Sequence, residues 1–461
     1  MIDQFVQKLR DSKGLRWGVL MMLSLTLMSG YLISDIMAPL GTMLQQDPTS
    51  WSASEYGFFT SGYGWINVFL FMLIFGGMIL DRLGLRFTGF SAIITMMIGT
   101  AIKYWAISTT FENPTIDIFG TAFNRQVLYA ALGFAIFAVG VEITGLTANK
   151  GILKWFKDKE MATAVGMNTA FGRLGTALAL FIGPKIAYHF NDVSKPLLVG
   201  LFVLCMGLGV FIVFSIFDRK LDKQISDDAE IEPEEPFRFR DLKIIGSNSG
   251  FWLITILCVL FYSAVFPFLK FASDLMFQKF GVELKAAGDI PALLPFGTIL
   301  LTPFFGNVYD RKGRGATIMI IGAVLLVVVH TLFSVPALNA TWMAIILMIV
   351  LGVAFSLVPS AMWPSVAKIL PYRLLGTAYG SIFWVQNIGL MGVPMLIGWV
   401  LSNFCLTGEI WVDGKLTPTY DYTIPMLIFA GFGVLSIIVA LLLKRDDAKK
   451  GYGLELPNIK K

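Results

Sequence analysis

Three ionisable side chains, Asp35, Glu142 and Arg173, interrupt apolar runs long enough to cross a lipid bilayer. A charge at that depth is costly unless it meets a partner or a cavity, so each marks a candidate site. A carboxylate and a guanidinium together can hold the two ends of a zwitterion through charge-assisted hydrogen bonds, ammonium on the one and carboxylate on the other. Counted from the inner ends of their segments at about 1.5 Å per residue, Glu142 and Arg173 differ in depth by roughly 9 Å. That offset strains a direct ion pair but suits a dipeptide, whose two residues span at most about 7 Å of backbone. Asp35 and Glu142 are also the carboxylates placed to take up a proton, because desolvation and opposing charge pull a buried carboxyl in opposite directions.

Tyr31, Asn67, Tyr262, Trp363, Gln386 and Asn387 lie in the same apolar segments and are candidates to line a central cavity. Aromatic faces accept varied side chains and amides meet a peptide bond, although each residue singly is as well explained by helix packing. Lys103 and Lys270 sit near outer segment ends, where a long side chain reaches water by snorkelling, and Asp289 reads as interfacial. His330 is expected to be a packed, hydrogen-bonded residue. Cys205, Cys258 and Cys405 show no paired spacing, so neither a disulfide framework nor a metal site is indicated, and no cofactor is expected.

The elements that must position these groups follow from composition. Of 461 residues, 56% are hydrophobic and 15% charged, against about 45–50% and about 25% in soluble domains. Apolar segments fall at 15–44, 55–80, 87–109, 126–149, 160–185, 195–217, 249–272, 286–309, 315–335, 342–367, 373–404 and 421–443. They predict an all-α membrane protein with twelve transmembrane helices, both termini on one side. The run at 17–44 is too long for a cleavable signal and reads as the first spanning helix. Lys and Arg collect in the loops on the side of the termini, including Arg82, Arg86, Lys154, Arg219, Arg311, Arg314 and Lys444, which predicts cytoplasmic termini. The same distribution accounts for the net charge of +5 without nucleic acid. The polar stretch 218–248, with its acidic run at 227–235, divides a six-helix bundle at 1–217 from a second at 249–461. Residues 237–245 are placed to form a short amphipathic surface helix.

Two repeats connect the halves. Gly77-Met-Ile-Leu-Asp81-Arg82-Leu-Gly84 follows segment two and Gly306-Asn-Val-Tyr-Asp310-Arg311-Lys-Gly313 follows segment eight, both G-x3-D-R-x-G. The terminal glycines suit a tight turn, and the aspartates can pair with cations or cap a neighbouring helix across the inner seam, as conformational latches would. In segments five and eleven, Thr163-Ala-Val-Gly166 with Gly175 matches Thr377-Ala-Tyr-Gly380 with Gly389, small residues that let helices approach closely. The position of Arg173 corresponds to the neutral Asn387, an asymmetry that a purely structural role would not require.

On these motifs the chain resembles the major facilitator superfamily over its whole length, with the two-bundle transporter fold and alternating access that this implies. Further stretches are similar to the lysosomal dipeptide transporter branch, the major facilitator superfamily domain-containing protein one family. They are Tyr63-Gly-Trp65-Ile-Asn67, Gly140-Val-Glu142, Trp155-Phe-Lys-Asp-Lys-Glu160, Arg173-Leu-Gly175, Phe261-Tyr262-Ser-Ala-Val-Phe266-Pro-Phe268, Ala361-Met-Trp363-Pro364 and Gln386-Asn387-Ile-Gly389. The resemblance implies that Glu142 and Arg173 hold the ends of a dipeptide, that Trp363 walls the pocket, and that transport is uniport. It also implies an accessory membrane subunit if the membrane is lysosomal; a bacterial plasma membrane is the first choice, since no sorting signal is seen. The chain departs from the branch at Phe134, where an arginine is usual, and at Val141.

The alternative is a proton-coupled transporter of small organic anions, with Arg173 on the carboxylate and Glu142 or Asp35 carrying the proton. An enzyme is disfavoured, because the sequence carries no H-E-x-x-H, G-x-S-x-G, paired membrane aspartates or nucleotide-binding loop. A receptor or scaffold would ordinarily bring a sizeable soluble module.

Overall fold

The computed structural model describes residues 9–118, 120–156, 160–226, 239–371 and 374–458. Inside a bilayer the backbone must satisfy its own hydrogen bonds, and the apolar runs do so as helices. Helix one is Lys13–Asp35, helix two begins as Ala53–Phe69, and one run, Met72–Ser108, completes helix two and then forms helix three. Helices four to six are Arg125–Trp155, Met161–Phe190 and Lys195–Ser226. Helix seven is Ser249–Ser263 continued by Phe266–Phe280, and helices eight to twelve are Asp289–Lys312, Gly315–Ser334, Thr341–Ile369, Leu375–Phe404 and Thr423–Lys450. Among the described residues, eleven spans are long and apolar enough to cross a membrane unaided; the twelfth, helix two, needs both its pieces. The fold is therefore the expected twelve-helix one.

The sequence boundaries miss several features. Helix six continues nine residues past 217, to Ser226, and helix twelve continues past 443 to Lys450. A short helix, Phe239–Gly246, overlaps the stretch assigned to an amphipathic helix, while the acidic run at 227–235 lies outside the described residues. Two antiparallel hairpins stand where only loops were expected. β1 (Thr115–Ile118) pairs with β2 (Thr121–Asn124), and β3 (Leu406–Val412) pairs with β4 (Lys415–Tyr420). Both lie at the end of the bundle opposite the termini, here the far end.

Helices one and seven break at the same place. Helix one stops at Asp35, four residues before Pro39, and the first part of helix seven stops at Ser263, four residues before Pro267. Proline has no N–H and its ring clashes with the carbonyl four residues back, so each helix ends there. Carbonyls freed around these breaks need donors, since water is scarce at that depth. Ser34 O accepts from Lys270 Nζ at 3.1 Å, Ala38 O from the Tyr56 hydroxyl at 3.1 Å, and Ala264 O from His330 Nε2 at 3.0 Å. His330 is thus the packed, hydrogen-bonded residue expected.

The G-x3-D-R-x-G repeats fold alike. Gly84 turns helix two into helix three at φ 81°, and Gly313 ends helix eight at φ 68°, both left-handed conformations that side chains resist. At Gly313 there is also no room for a Cβ, because 455–457 packs against it. That tail caps helix nine: Glu455 accepts from the backbone and hydroxyl of Thr317 at 2.9 Å each, and Glu455 O accepts from Arg314 N at 2.9 Å.

Candidate functional site

Glu142 on helix four and Arg173 on helix five are both half-buried, and among the described residues no ion pair joins them. Glu142 accepts a 2.7 Å hydrogen bond from the Tyr63 hydroxyl and, among the described residues, forms no ion pair. Tyr31 of helix one stands within electrostatic reach of Glu142, Arg173 and Asp35. Opposite charges of the first half thus both act on one phenol without forming an ion pair with each other among the described residues.

The second half faces them with rings. The Arg173 guanidinium lies 4.7 Å from the centroid of Phe355 and 5.4 Å from that of Phe266, so the charge rests on a cation–π surface of the other bundle. Tyr262 packs edge-on against Phe355 at 5.6 Å and accepts a 3.1 Å hydrogen bond from Trp363 Nε1. Trp363 in turn lies 4.9 Å from Phe383 and 5.9 Å from Tyr379. Trp363 and Tyr262 are thus joined in one aromatic wall. Tyr63 and Phe266 stand within the stretches that carry the resemblance but were not singled out, and Phe355 had no signal of its own, because a phenylalanine in an apolar helix looks like filler.

The amides sit elsewhere. Gln386 is buried and accepts from Cys258 of helix seven at 3.5 Å, filling a seam inside the second half. Asn67 and Asn387 each donate to a carbonyl one turn back in their own helix, at 3.3 and 3.0 Å, and each leaves a buried Oδ1 without a partner. In this state none of the three joins the aromatic wall.

Asp35 is committed. It bonds Lys270 at 2.6 Å and the Thr176 hydroxyl at 2.7 Å, and the ion-paired side chains are only 15% and 14% exposed. The expectation that Lys270 reaches water is corrected, because its ammonium spans from helix seven to helix one. Lys103 does not snorkel either: it is fully buried, and its Nζ has no hydrogen-bond partner.

Asp35–Lys270 is one of a set of contacts that close the far end across the halves. Thr42 donates to Asp274 at 2.6 Å, Tyr56 to Lys270 O at 2.8 Å, and Ser54 N to Ser402 at 2.8 Å. Lys185 pairs with Asp289. The β3–β4 hairpin adds Gln46 to Thr417 at 2.8 Å and Tyr420 to Gln45 at 2.8 Å. Helices two and eleven touch at Gly57 and Gly398, where the missing side chains let backbones meet.

The end bearing the termini differs. Among the described residues its ion pairs each stay within one half: Arg16–Glu160 at 2.7 Å, Arg86–Asp218 at 3.0 Å, Lys154–Asp222 at 2.6 Å and Lys150–Asp81 in the first, Lys444–Glu455 at 3.8 Å and Lys450–Asp446 at 3.6 Å in the second. Asp310 bonds Asn458 within the second half at 2.7 Å. Asp81, Arg82 and Arg311 are exposed, and Gly77 and Gly306 face open space. The two aspartates therefore do not bridge the halves in this state, contrary to the cross-seam pairing considered from sequence. Likewise Gly175 and Gly389 pack tightly on helices one and seven, whereas Gly166 and Gly380 meet nothing within 4 Å. Most of the polar contacts between the halves gather at the far end; towards the other, Trp384 still donates to Val68 O at 2.9 Å and stacks on Phe71.

Two bundles closed at one end, with charged and aromatic groups between them, define a membrane transporter. Residues 18–394 and 268–458 match the Major Facilitator Superfamily model, and the chain belongs to that family. It is 27% identical over 351 residues to the lysosomal dipeptide transporter MFSD1 of Bos taurus, covering 74% of this chain and 70% of that protein. It is 23% identical to a D-galactonate transporter of Escherichia coli O6:H1, covering 84% and 90%. Among solved structures, a bacterial homolog of the human lysosomal transporter Spinster, inward-facing and unoccupied, superposes with a TM-score of 0.69 at 15% identity, covering 95% and 98%. The chain is a multi-pass integral membrane transporter and not an enzyme.

Proposed function

We propose that the chain moves small zwitterionic solutes, dipeptides first among them, by alternating access between the bundles 1–217 and 249–461, joined by the 218–248 linker. The observation that carries this reading is that Glu142 and Arg173, both within electrostatic reach of Tyr31, form no ion pair among the described residues. A bound zwitterion neutralises both charges at once, and the wall of Phe266, Phe355, Tyr262 and Trp363 receives its side chains without selecting among them. The relatives named for dipeptide transport agree with this reading. Asn67, Gln386 and Asn387 contribute only in a state where their seams open. With Asp35 tied to Lys270, Glu142 is left as the carboxylate able to couple a proton, and uniport is the expected mode. The excess of Lys and Arg at the end bearing the termini supports a cytoplasmic location for that end. The membrane is a bacterial plasma membrane, or a lysosomal one with an accessory subunit.

A second reading rests on the D-galactonate relative: a small organic anion on Arg173, with a proton on Glu142. Counterflow in proteoliposomes separates the two. Liposomes loaded with unlabelled dipeptide are expected to accumulate labelled dipeptide without a pH gradient, and galactonate is expected not to compete. Exchange of sugar acids alone, driven by a pH gradient, would establish the second reading instead.

The repeated turns, Gly77-to-Gly84 and Gly306-to-Gly313, act as latches of the opposite state, in which Asp81 and Asp310 exchange Lys150 and Asn458 for partners across the seam. Asp81→Asn and Asp310→Asn are each expected to slow counterflow at normal surface expression. Unchanged flux in both would remove the latch role.

A further inference from the structure

A void of about 10 Å3, enough for the centre of one water-sized particle, lies beside Lys103 of helix three and Lys270 of helix seven. Met37, Phe59, Thr60 and Phe134, with residues 33, 34 and 38 of the first half, complete its walls. Lys103 is fully buried with no hydrogen-bond partner for its Nζ, which rests 4.3 Å from the Phe137 centroid and 4.6 Å from that of Phe134. Lys270 Nζ lies 5.8 Å from the same Phe134 ring. Two ammoniums thus share one ring, and the one carboxylate among the described residues of the cluster, Asp35, is engaged by Lys270 and Thr176. With Lys103 protonated, the cluster carries one positive charge in excess in a place that water barely enters. Aromatic faces soften that cost but do not remove it, and an unpaired buried charge is strongly unfavourable.

We propose that this void is a binding site for a monovalent anion of chloride size, held between Lys103 and Lys270 while the far end is closed. The anion supplies the missing counter-charge to Lys103 and screens the repulsion between the two ammoniums. Because Lys270 belongs to the second half and the other lining residues to the first, the anion binds the closed far end and is released when the halves part there. It therefore stabilises this state by mass action.

The test uses the purified full-length protein in detergent. At constant ionic strength and cation, replacing gluconate by chloride is expected to raise the melting temperature by a few degrees in a saturable way, with bromide replacing chloride. Lys103→Met is expected to abolish that dependence and Lys103→Arg to keep it. Crystals grown in bromide should show an anomalous peak between Lys103 and Lys270, a measurement that decides the matter if Lys103→Met fails to fold. A wild-type melting temperature indifferent to the anion, with no bromide peak, would mean that Lys103 is buried as a neutral amine and would overturn the site. So would a chloride effect that survives unchanged in Lys103→Met, since the ion would then bind elsewhere.

Discussion

Arg173→Ala is expected to lose on the order of 2–5 kcal/mol of dipeptide binding, roughly thirty- to several-thousand-fold in affinity, as for truncating one partner of a desolvated charge pair. Glu142→Gln should cost a similar amount through the other end of the ligand. The two losses have different causes in the apo protein. Arg173 is held by the rings of Phe355 and Phe266, so its removal also loosens the contact between the halves. Glu142 is held by Tyr63 alone, and the isosteric glutamine keeps that hydrogen bond while deleting the charge. Isothermal titration of each variant with a dipeptide reads the effect directly. Because the side chains act on opposite ends of one ligand, the double variant should lose less than the sum of the single losses.

Lys270→Gln is expected to open the far end. It leaves the Asp35 carboxylate buried without a cation, at a cost of about 3–5 kcal/mol in the closed state, and opening lets water relieve that cost. A penalty of about 5.5 kcal/mol is enough to carry a two-state equilibrium from 1:99 to 99:1, so even the lower figure shifts populations by two orders of magnitude. Spin labels at Asp47→Cys and Glu409→Cys, exposed on opposite halves, measure the gap in a background without the native cysteines. The distance should lengthen in Lys270→Gln and return toward the native value in Asp35→Asn/Lys270→Gln, where both members of the pair are neutral. An unchanged distance in the single variant would show that the hairpin and the helix two–eleven contact hold the far end shut by themselves.

The sequence carried the twelve helices because an apolar run of bilayer length has few other fates, and it carried the duplication because glycine turns are constrained by backbone geometry. Gly84 and Gly313 do share a left-handed turn. Other signals were present and passed over. The spacing from Asp35 to Pro39 repeats from Ser263 to Pro267 and marks both helix breaks. Asp413-Gly414, both at positive φ, is the two-residue turn that joins β3 to β4. The fates of Lys103, Lys270 and Asp35 were not legible in the same way. Hydropathy gives a residue's depth along its helix, but whether a lysine turns to lipid, water or another helix depends on the rotation of the helix and on its neighbours. For the same reason the aromatic wall was seen only in Tyr262 and Trp363, whose polar tips stand out, and not in Phe266 and Phe355. The T-A-x-G repeats show a further limit. Gly175 and Gly389 are packed while Gly166 and Gly380 are open, a difference that belongs to one conformation and not to the sequence.

The central claim, that Glu142 and Arg173 read the two charged ends of a dipeptide, is tested most directly by calorimetric binding of one dipeptide with its ends blocked in turn. The free dipeptide should bind, and both its N-acetyl and its C-amide forms should bind at least tens of fold more weakly, because each leaves one buried charge unanswered. A tripeptide should also bind less well, since its extra residue adds up to about 3.6 Å between the charges. If the N-acetyl dipeptide binds as tightly as the free one, Glu142 does not read an ammonium and the account of the site is wrong.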